Sequence, residues 1–217
     1  MTMTEKPAVV RLPINAVFAE PADSAALERA ADALRAHNIA VEIVPDGDAA
    51  RDLLLSMIPD GAEVGEGASA TLDSIGVTEI IEKSGRHNAI RPRTRAMDRA
   101  TQMSEIRKLG AAPDVQINSV QAVTEDGRLV GASFSGSQLA PIAFGAGRVI
   151  LVVGAQKVVP DLATAFRRVE EYNLPIEDAK LQEMIGRHSV IGKVLVVNQE
   201  VGPGRITVIL VREPVGV

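Results

Sequence analysis

Three short clusters of small polar residues hold most of the chemistry this sequence can offer. The first is Gly65-Glu66-Gly67-Ala68-Ser69, with Thr71 close behind. Glycine lets backbone N–H groups approach a ligand, and a helix that starts after such a loop adds partial positive charge at its N-terminus. Gly65, Gly67, Ser69 and Thr71 are therefore candidate contacts for an anion. The pattern is neither GxGxxG nor a Walker loop, so a plain strand-to-helix turn is the alternative. The second cluster is Ser133, Ser135, Gly136, Ser137 and Gln138, again between a strand-like and a helix-like segment. If both loops lie at the carboxyl edge of one sheet they face one crevice, where open α/β folds bind ligands. Small polar residues are also simply common in loops. The third cluster is Asn118, Thr124 and Glu125. A carboxylate beside hydroxyl and amide groups can act as base or nucleophile, and Glu125 is the acid nominated for that role, against the ordinary reading of a turn residue.

Other chemistries find less support. His37, His87 and His188 show no paired spacing, and nothing resembles HExxH or a carboxylate-rich calcium loop, so neither a metal site nor a cofactor is expected. The arginines from Arg86 to Arg107 could reach a phosphate or carboxylate, but with Asp98 and Glu105 among them they read as a solvated helix face. The sequence has no Cys, which excludes disulfides, thiolate metal ligands and a Cys nucleophile within it. Aromatic residues make up 2%, Trp is absent and the net charge is −5, a poor basis for stacking bases or binding phosphate backbones. No apolar run reaches the ~20 residues of a membrane helix. The N-terminus, with Pro7 and charges at Glu5, Lys6 and Arg11, does not read as a secretory signal, so a cytoplasmic location without membrane attachment is expected.

The elements that must position these clusters alternate between helix and strand. Residues 23–37 place Leu27, Ala30, Ala31 and Leu34 on one helical face, with Asp23 or Ser24 as N-cap. Residues 39–44 read as a strand feeding a helix at 49–58, and 62–64 as a short strand before the first glycine loop. A connection and a helix ending at Gly110 follow. Alternation at 115–120 and the turn at 125–127 suggest a hairpin or adjacent strands with 128–130. Residues 139–144 look helical, with Pro141 in the first turn. Val149-Ile150-Leu151-Val152-Val153 is nearly all apolar and β-branched, as a central parallel strand covered on both faces requires. A helix at 161–172 and strands at 194–197 and 206–211 complete the chain. The expected architecture is one α/β domain over residues 1–217, an open, mostly parallel sheet with helices on both faces, and residues 1–22 as a loosely packed leader.

Three stretches, GEGASATLDSIGV, NSVQAVTEDGRLV and FGAGRVILVVGAQKVVPDLATAFRRVEEYNLP, resemble the LUD (lactate utilization) domain family. The resemblance runs from about residue 46 to about residue 213. It implies a fold similar to the sugar-phosphate isomerase and CoA-transferase superfamily, with substrates over loops at the sheet's carboxyl edge. It also implies a role near lactate oxidation, as an accessory or small-anion-binding subunit beside iron–sulfur partner proteins, and makes a homo-oligomer plausible. The alternative carried by the fold is a transferase or isomerase acting on a CoA ester or sugar phosphate, with Glu125 as nucleophile or base. Two departures bear on this. Residues 181–194, where stand-alone members often carry a Cys-rich segment, contain no Cys. Gln138 stands where relatives commonly show Arg, so an anion contact is either missing or supplied by another residue such as Arg107 or Arg128.

Overall fold

The computed structural model describes residues 11–217. The readings placed on residues 1–10, both the absence of a signal and the loosely packed leader, lie outside them. Residues 11–22 are mostly exposed and touch the fold at a few points: Asn15 donates through its backbone N–H to the Glu171 carbonyl at 2.9 Å, Phe18 is buried, and Ala22 N–H donates to the Ala155 carbonyl at 3.2 Å.

Helix α1 (Ser24–Ala36) starts where the Asp23 carboxylate accepts from Ala26 N–H at 2.7 Å, satisfying one of the free donors of the first turn. Its apolar face buries Leu27, Ala30, Ala31 and Leu34 completely, as the spacing predicts. Then follow β1 (Ala40–Val44), α2 (Gly47–Ser56), β2 (Glu63–Glu66), α3 (Ala70–Ser74) and α4 (Val77–Lys83). Strand β3 (Asn88–Ala89) and helices α5 (Ile90–Ala96) and α6 (Met103–Ala111) lead to β4 (Val115–Asn118). Beyond it lie β5 (Ala122–Thr124), β6 (Leu129–Ser133) and β7 (Arg148–Gly154). The chain ends with β8 (Val158–Val159), α7 (Leu162–Arg168), α8 (Leu174–Ile185), β9 (Lys193–Val197) and β10 (Ile206–Val211).

The expected α/β architecture with a parallel sheet is present. Six strands, in the order β1-β10-β7-β4-β2-β3, pair in parallel throughout. Strand β7 shows why its residues had to be apolar on both sides. Val149, Leu151 and Val153 pack with α1, while Ile150 and Val152 pack on the opposite face against Leu54 and Leu72 from α2 and α3. Alternate side chains point to opposite faces, so both positions must be hydrophobic when helices cover both.

A second sheet, in the order β8-β5-β6-β9, was not anticipated. The run read as one strand at 115–120 is cut at Ser119: β4 joins the parallel sheet, and β5 pairs antiparallel with β6 and parallel with β8. Strand β9 pairs with β6, so the last two strands, adjacent in sequence, belong to different sheets. One face of the second sheet adds Val123, Leu129 and Val197 to the α1 cluster, and the other packs Ala122, Val130 and Val159 against Ala165 of α7. The expected helix at 161–172 is present as α7 and a π-turn over Val169–Asn173, and it runs on into α8. The segment expected to be helical at 139–144 is helical, with residues 139–140 leading into a π-turn at Pro141–Gly145 and Pro141 in the first turn. Among the described residues no helix is long and apolar enough to cross a membrane.

Replacing Ile150, fully buried between β4 and the α2 side of the core, by Ala leaves a cavity and should lower the unfolding free energy in urea by about 2–5 kcal/mol. Val201→Ala, at a fully exposed position, should stay within about 0.5 kcal/mol of the parent.

Candidate functional site

Because the strands of the larger sheet are parallel, β2, β4 and β7 deliver the segments that follow them to the same edge. Those segments are the glycine loop from Gly67, Ser119 to Gln121, and Ala155 to Lys157. Together with residues after β6 and the start of α8, they enclose a cavity of about 290 Å³ at the seam between the two sheets.

From the first cluster, Gly67, Ser69 and Thr71 line this cavity. Ser69 is the N-cap of α3, its hydroxyl accepting from Leu72 N–H at 3.3 Å. Gly67 is crowded. A Cβ there would lie 2.9 Å from Asn118 Nδ2 and collide with the Gln138 side-chain oxygen. Those two side chains are bonded to each other, Asn118 Nδ2 donating to Gln138 Oε1 at 3.3 Å, while Gln138 Nε2 donates to the Ala132 carbonyl at 3.2 Å. The pair links the end of β4 to the loop after β6, and only a residue without a side chain fits against it. Gly65, by contrast, lies inside β2, where a Cβ would meet Gln116 and the Pro113 ring. It is a packing glycine and does not line the cavity. Glu66 is turned to Thr78, whose hydroxyl donates to it at 2.6 Å, and to Arg91 at 3.2 Å. Burial holds its carboxyl above the usual range, against the pull of these donors.

From the second cluster, Ser133, Ser137 and Gln138 line the cavity. Ser135 and Gly136 shape the turn: Gly136 has a φ of 87° and donates its N–H to Ser133 Oγ at 3.0 Å, and Ser135 Oγ accepts from Ser137 N–H at 3.3 Å. From the third cluster only Asn118 lines it. The Thr124 hydroxyl is buried in its own turn, donating to Asp126 and accepting from Arg128 N–H at 2.9 Å. Glu125 lies outside the cavity, its carboxylate 2.6 Å from Arg29 of α1. Arg128 pairs with Asp126, and neither it nor Arg107 lines the cavity, so neither replaces an Arg at position 138.

The charged group at the floor is one that sequence reasoning passed over. Lys157 is 2% exposed, and its Nζ donates to Thr71 Oγ1 at 2.7 Å and to Ser119 Oγ at 2.9 Å. Among the described residues no carboxylate forms an ion pair with it. Burial, reinforced by the positive charge of Arg168, lowers its pKa from 10.5 to about 7. Arg168 is wholly buried as well. It donates to the carbonyls of Gln156 at 3.1 Å, Phe18 at 3.4 Å and Gln121, and to Asn173 Oδ1 at 3.0 Å, with its guanidinium 5.0 Å from the Tyr172 ring centre. Burial brings its pKa down to about 10, which still leaves it charged at neutral pH.

Helix α8 closes the other side with Ile176, Glu177 and Lys180, the last two exposed at the rim. The segment after α8 is tied back by Asp178, whose buried carboxylate accepts from Ser189 N–H at 2.6 Å, Gln182 at 2.6 Å and His188 Nδ1 at 3.2 Å. Burial opposes ionisation of Asp178, but these donors outweigh it and hold the carboxyl below its usual range. Ser189 thereby joins the wall, and the exposed Phe134 lies opposite at the mouth. A larger depression of about 360 Å³ beside α2 is lined by Asp46, Asp48 and Glu213 with no basic residue. It is the wrong sign for an anion.

The sequence model of the LUD domain matches residues 27–211. The chain belongs to the LUD domain family. A solved LUD-type relative, a DUF162 family protein from Deinococcus radiodurans, shares the fold with a TM-score of 0.54 at 13% identity, over 88% of this chain and 99% of that one. No curated protein matches the sequence. In this LUD domain the stretches that carry the family resemblance converge: GEGAS supplies the cavity loop, NSVQ supplies Asn118 to Gln121, and VVGAQK supplies the buried lysine.

Two outcomes test the site's construction. Between pH about 7 and 10.5 the unfolded chain holds a proton on Lys157 that the folded chain lacks, so stability rises with pH in that window and the full cost of burying the amine is felt below it. Among the described residues the charge that acts on Lys157 is that of Arg168, while Glu177 and Lys180 share its cavity. Lys157→Met should therefore be more stable than the parent, by a margin largest near pH ~6 and shrinking toward pH ~9 in urea titrations. Gly67→Ala should displace the Gln138 side chain and narrow the cavity, weakening any ligand more than tenfold for a loss of about 1 kcal/mol or less in stability.

Proposed function

We propose that this LUD domain binds a small organic acid in the cavity at the seam of the two sheets, and that it serves organic-acid metabolism of the lactate type as an accessory, ligand-holding subunit. The single observation that carries this reading is the buried amine of Lys157, with which no carboxylate of the described residues pairs, in a cavity lined largely by hydroxyls, amides and backbone, with Glu177 and Lys180 both exposed at its edge. A volume of about 290 Å³ suits an acid of a few carbons and excludes a nucleotide unless the walls move. Lys180 at the rim offers the carboxylate an exposed cation on entry, and Ser133, Ser137 and Asn118 offer hydrogen bonds inside. The sequence contains no Cys, so it contributes no thiolate to a cluster, and oxidation of the bound acid falls to a partner protein carrying iron–sulfur centres.

The transferase or isomerase reading is not favoured. It relied on Glu125, which is engaged with Arg29 and lies outside the cavity.

Thermal denaturation with lactate and with pyruvate tests the proposal. A ligand at 100 times its Kd should stabilise the fold by roughly 2.7 kcal/mol. The corresponding neutral amides should give no shift, and Lys180→Gln should weaken binding a few-fold, an effect that disappears in high salt because the charge is exposed. Equal stabilisation by the acids and their amides would overturn the anion-binding reading.

A further inference from the structure

Beyond attracting an acid, Lys157 is placed to react with one. A neutral amine has two N–H donors and one lone pair. Nζ has two acceptors, Thr71 Oγ1 and Ser119 Oγ, and an ammonium there would keep a third N–H for which the described residues provide no further acceptor. Both hydroxyls belong to residues lining the same cavity as Lys157, so the nitrogen's remaining position is available to a molecule held inside. Ser119 Oγ, which also donates to the Val120 carbonyl at 3.3 Å, and Thr71 Oγ1 are hydroxyls able to pass a proton to an oxygen formed beside the nitrogen. Arg168, fixed by four acceptors and unable to move away, disfavours a second positive charge nearby. A lysine desolvated in this manner beside another cation is the arrangement that keeps an amine nucleophilic at neutral pH.

We propose that the Nζ of Lys157 condenses with the carbonyl carbon of a 2-oxo acid to form an imine, a deepening that rests on the organic-acid reading above and narrows its ligand class to acids bearing a ketone next to the carboxylate. The nitrogen lone pair forms the N–C bond while the carbonyl π electrons move to oxygen, which takes up a proton. The carbinolamine then loses that oxygen as water, the amine gives up its two protons overall, and a C=N bond replaces C=O. Amine and ketone thus become imine and water with no change of oxidation state and no further reactant. A 2-hydroxy acid has no carbonyl carbon and binds without reacting.

The test is intact-protein mass spectrometry of the full chain after incubation with pyruvate and sodium borohydride, followed by peptide mapping and read beside the thermal shift. The expected result is one mass increment matching a reduced pyruvate imine, on the peptide that bears Lys157. It should be absent when lactate replaces pyruvate, and reduced at least tenfold in Lys157→Met. Mapping on the parent protein locates the adduct even if that variant fails to fold. Stabilisation by pyruvate without an increment, or an increment spread over the exposed lysines and unchanged in the variant, overturns the imine and leaves the binding reading standing. Neither stabilisation nor increment overturns both.

Discussion

One amine holds the site together. Lys157 Nζ bridges Thr71 and Ser119, so the segments that leave β2, β4 and β7 meet at a single nitrogen. The bridge is costly, because the amine is fully desolvated and the guanidinium of Arg168 adds to the cost. It persists because what surrounds it is over-determined. Parallel strands covered on both faces fix where the segments emerge, and Arg168 is locked by carbonyls from distant parts of the chain, including Phe18 and Gln121. A polar centre maintained against stability is a mark of function more than of architecture.

How much of this was legible in the residues follows from the kind of signal each part emits. Parallel strands emit a strong one: Val149 to Val153 must be apolar on both sides, and the run says so. The two Gly/Ser loops were also visible, since both fall at strand-to-helix junctions where an open sheet binds ligands, and Gly67, Ser69, Ser133, Ser137 and Gln138 do meet in one cavity. Lys157 emits a weaker signal, because a single lysine just after a strand ordinarily marks a solvated turn. The overlooked signal was a lone charge in the apolar run from Val149 to Val159. Arg168 was hidden by its neighbour. Two adjacent arginines look like a solvated face, yet helical spacing puts Arg168 with Ala165, Val169 and Tyr172, all buried, while Arg167 is left outside with Glu171. Glu125 misled for the opposite reason: an acid beside a glycine turn looks available, but the turn presents it to α1.

The second sheet left no local trace because its making is not local. Nothing in the residues at 115–124 distinguishes one strand from two. What divides them is the need for Ser119 to Gln121 to cross from one sheet to the other while Asn118 completes β4 and Ala122 opens β5. That crossing creates the seam, and the seam creates the cavity. The Ser119 hydroxyl that serves Lys157 is thus a by-product of a topological step, and a sequence reading confined to periodicity has no access to it.

The strand order carries a consequence for how the chain is born. Strand β10 lies between β1 and β7, so the final strand of the fold is an interior one, flanked in parallel by partners that precede it by more than fifty and more than one hundred and sixty positions. Until β10 has emerged from the ribosome, the nascent polypeptide exposes two bare apolar strand edges with a strand-wide gap between them. Such an intermediate invites pairing with other nascent chains, and it makes the growing polypeptide a natural client for holding chaperones throughout its synthesis.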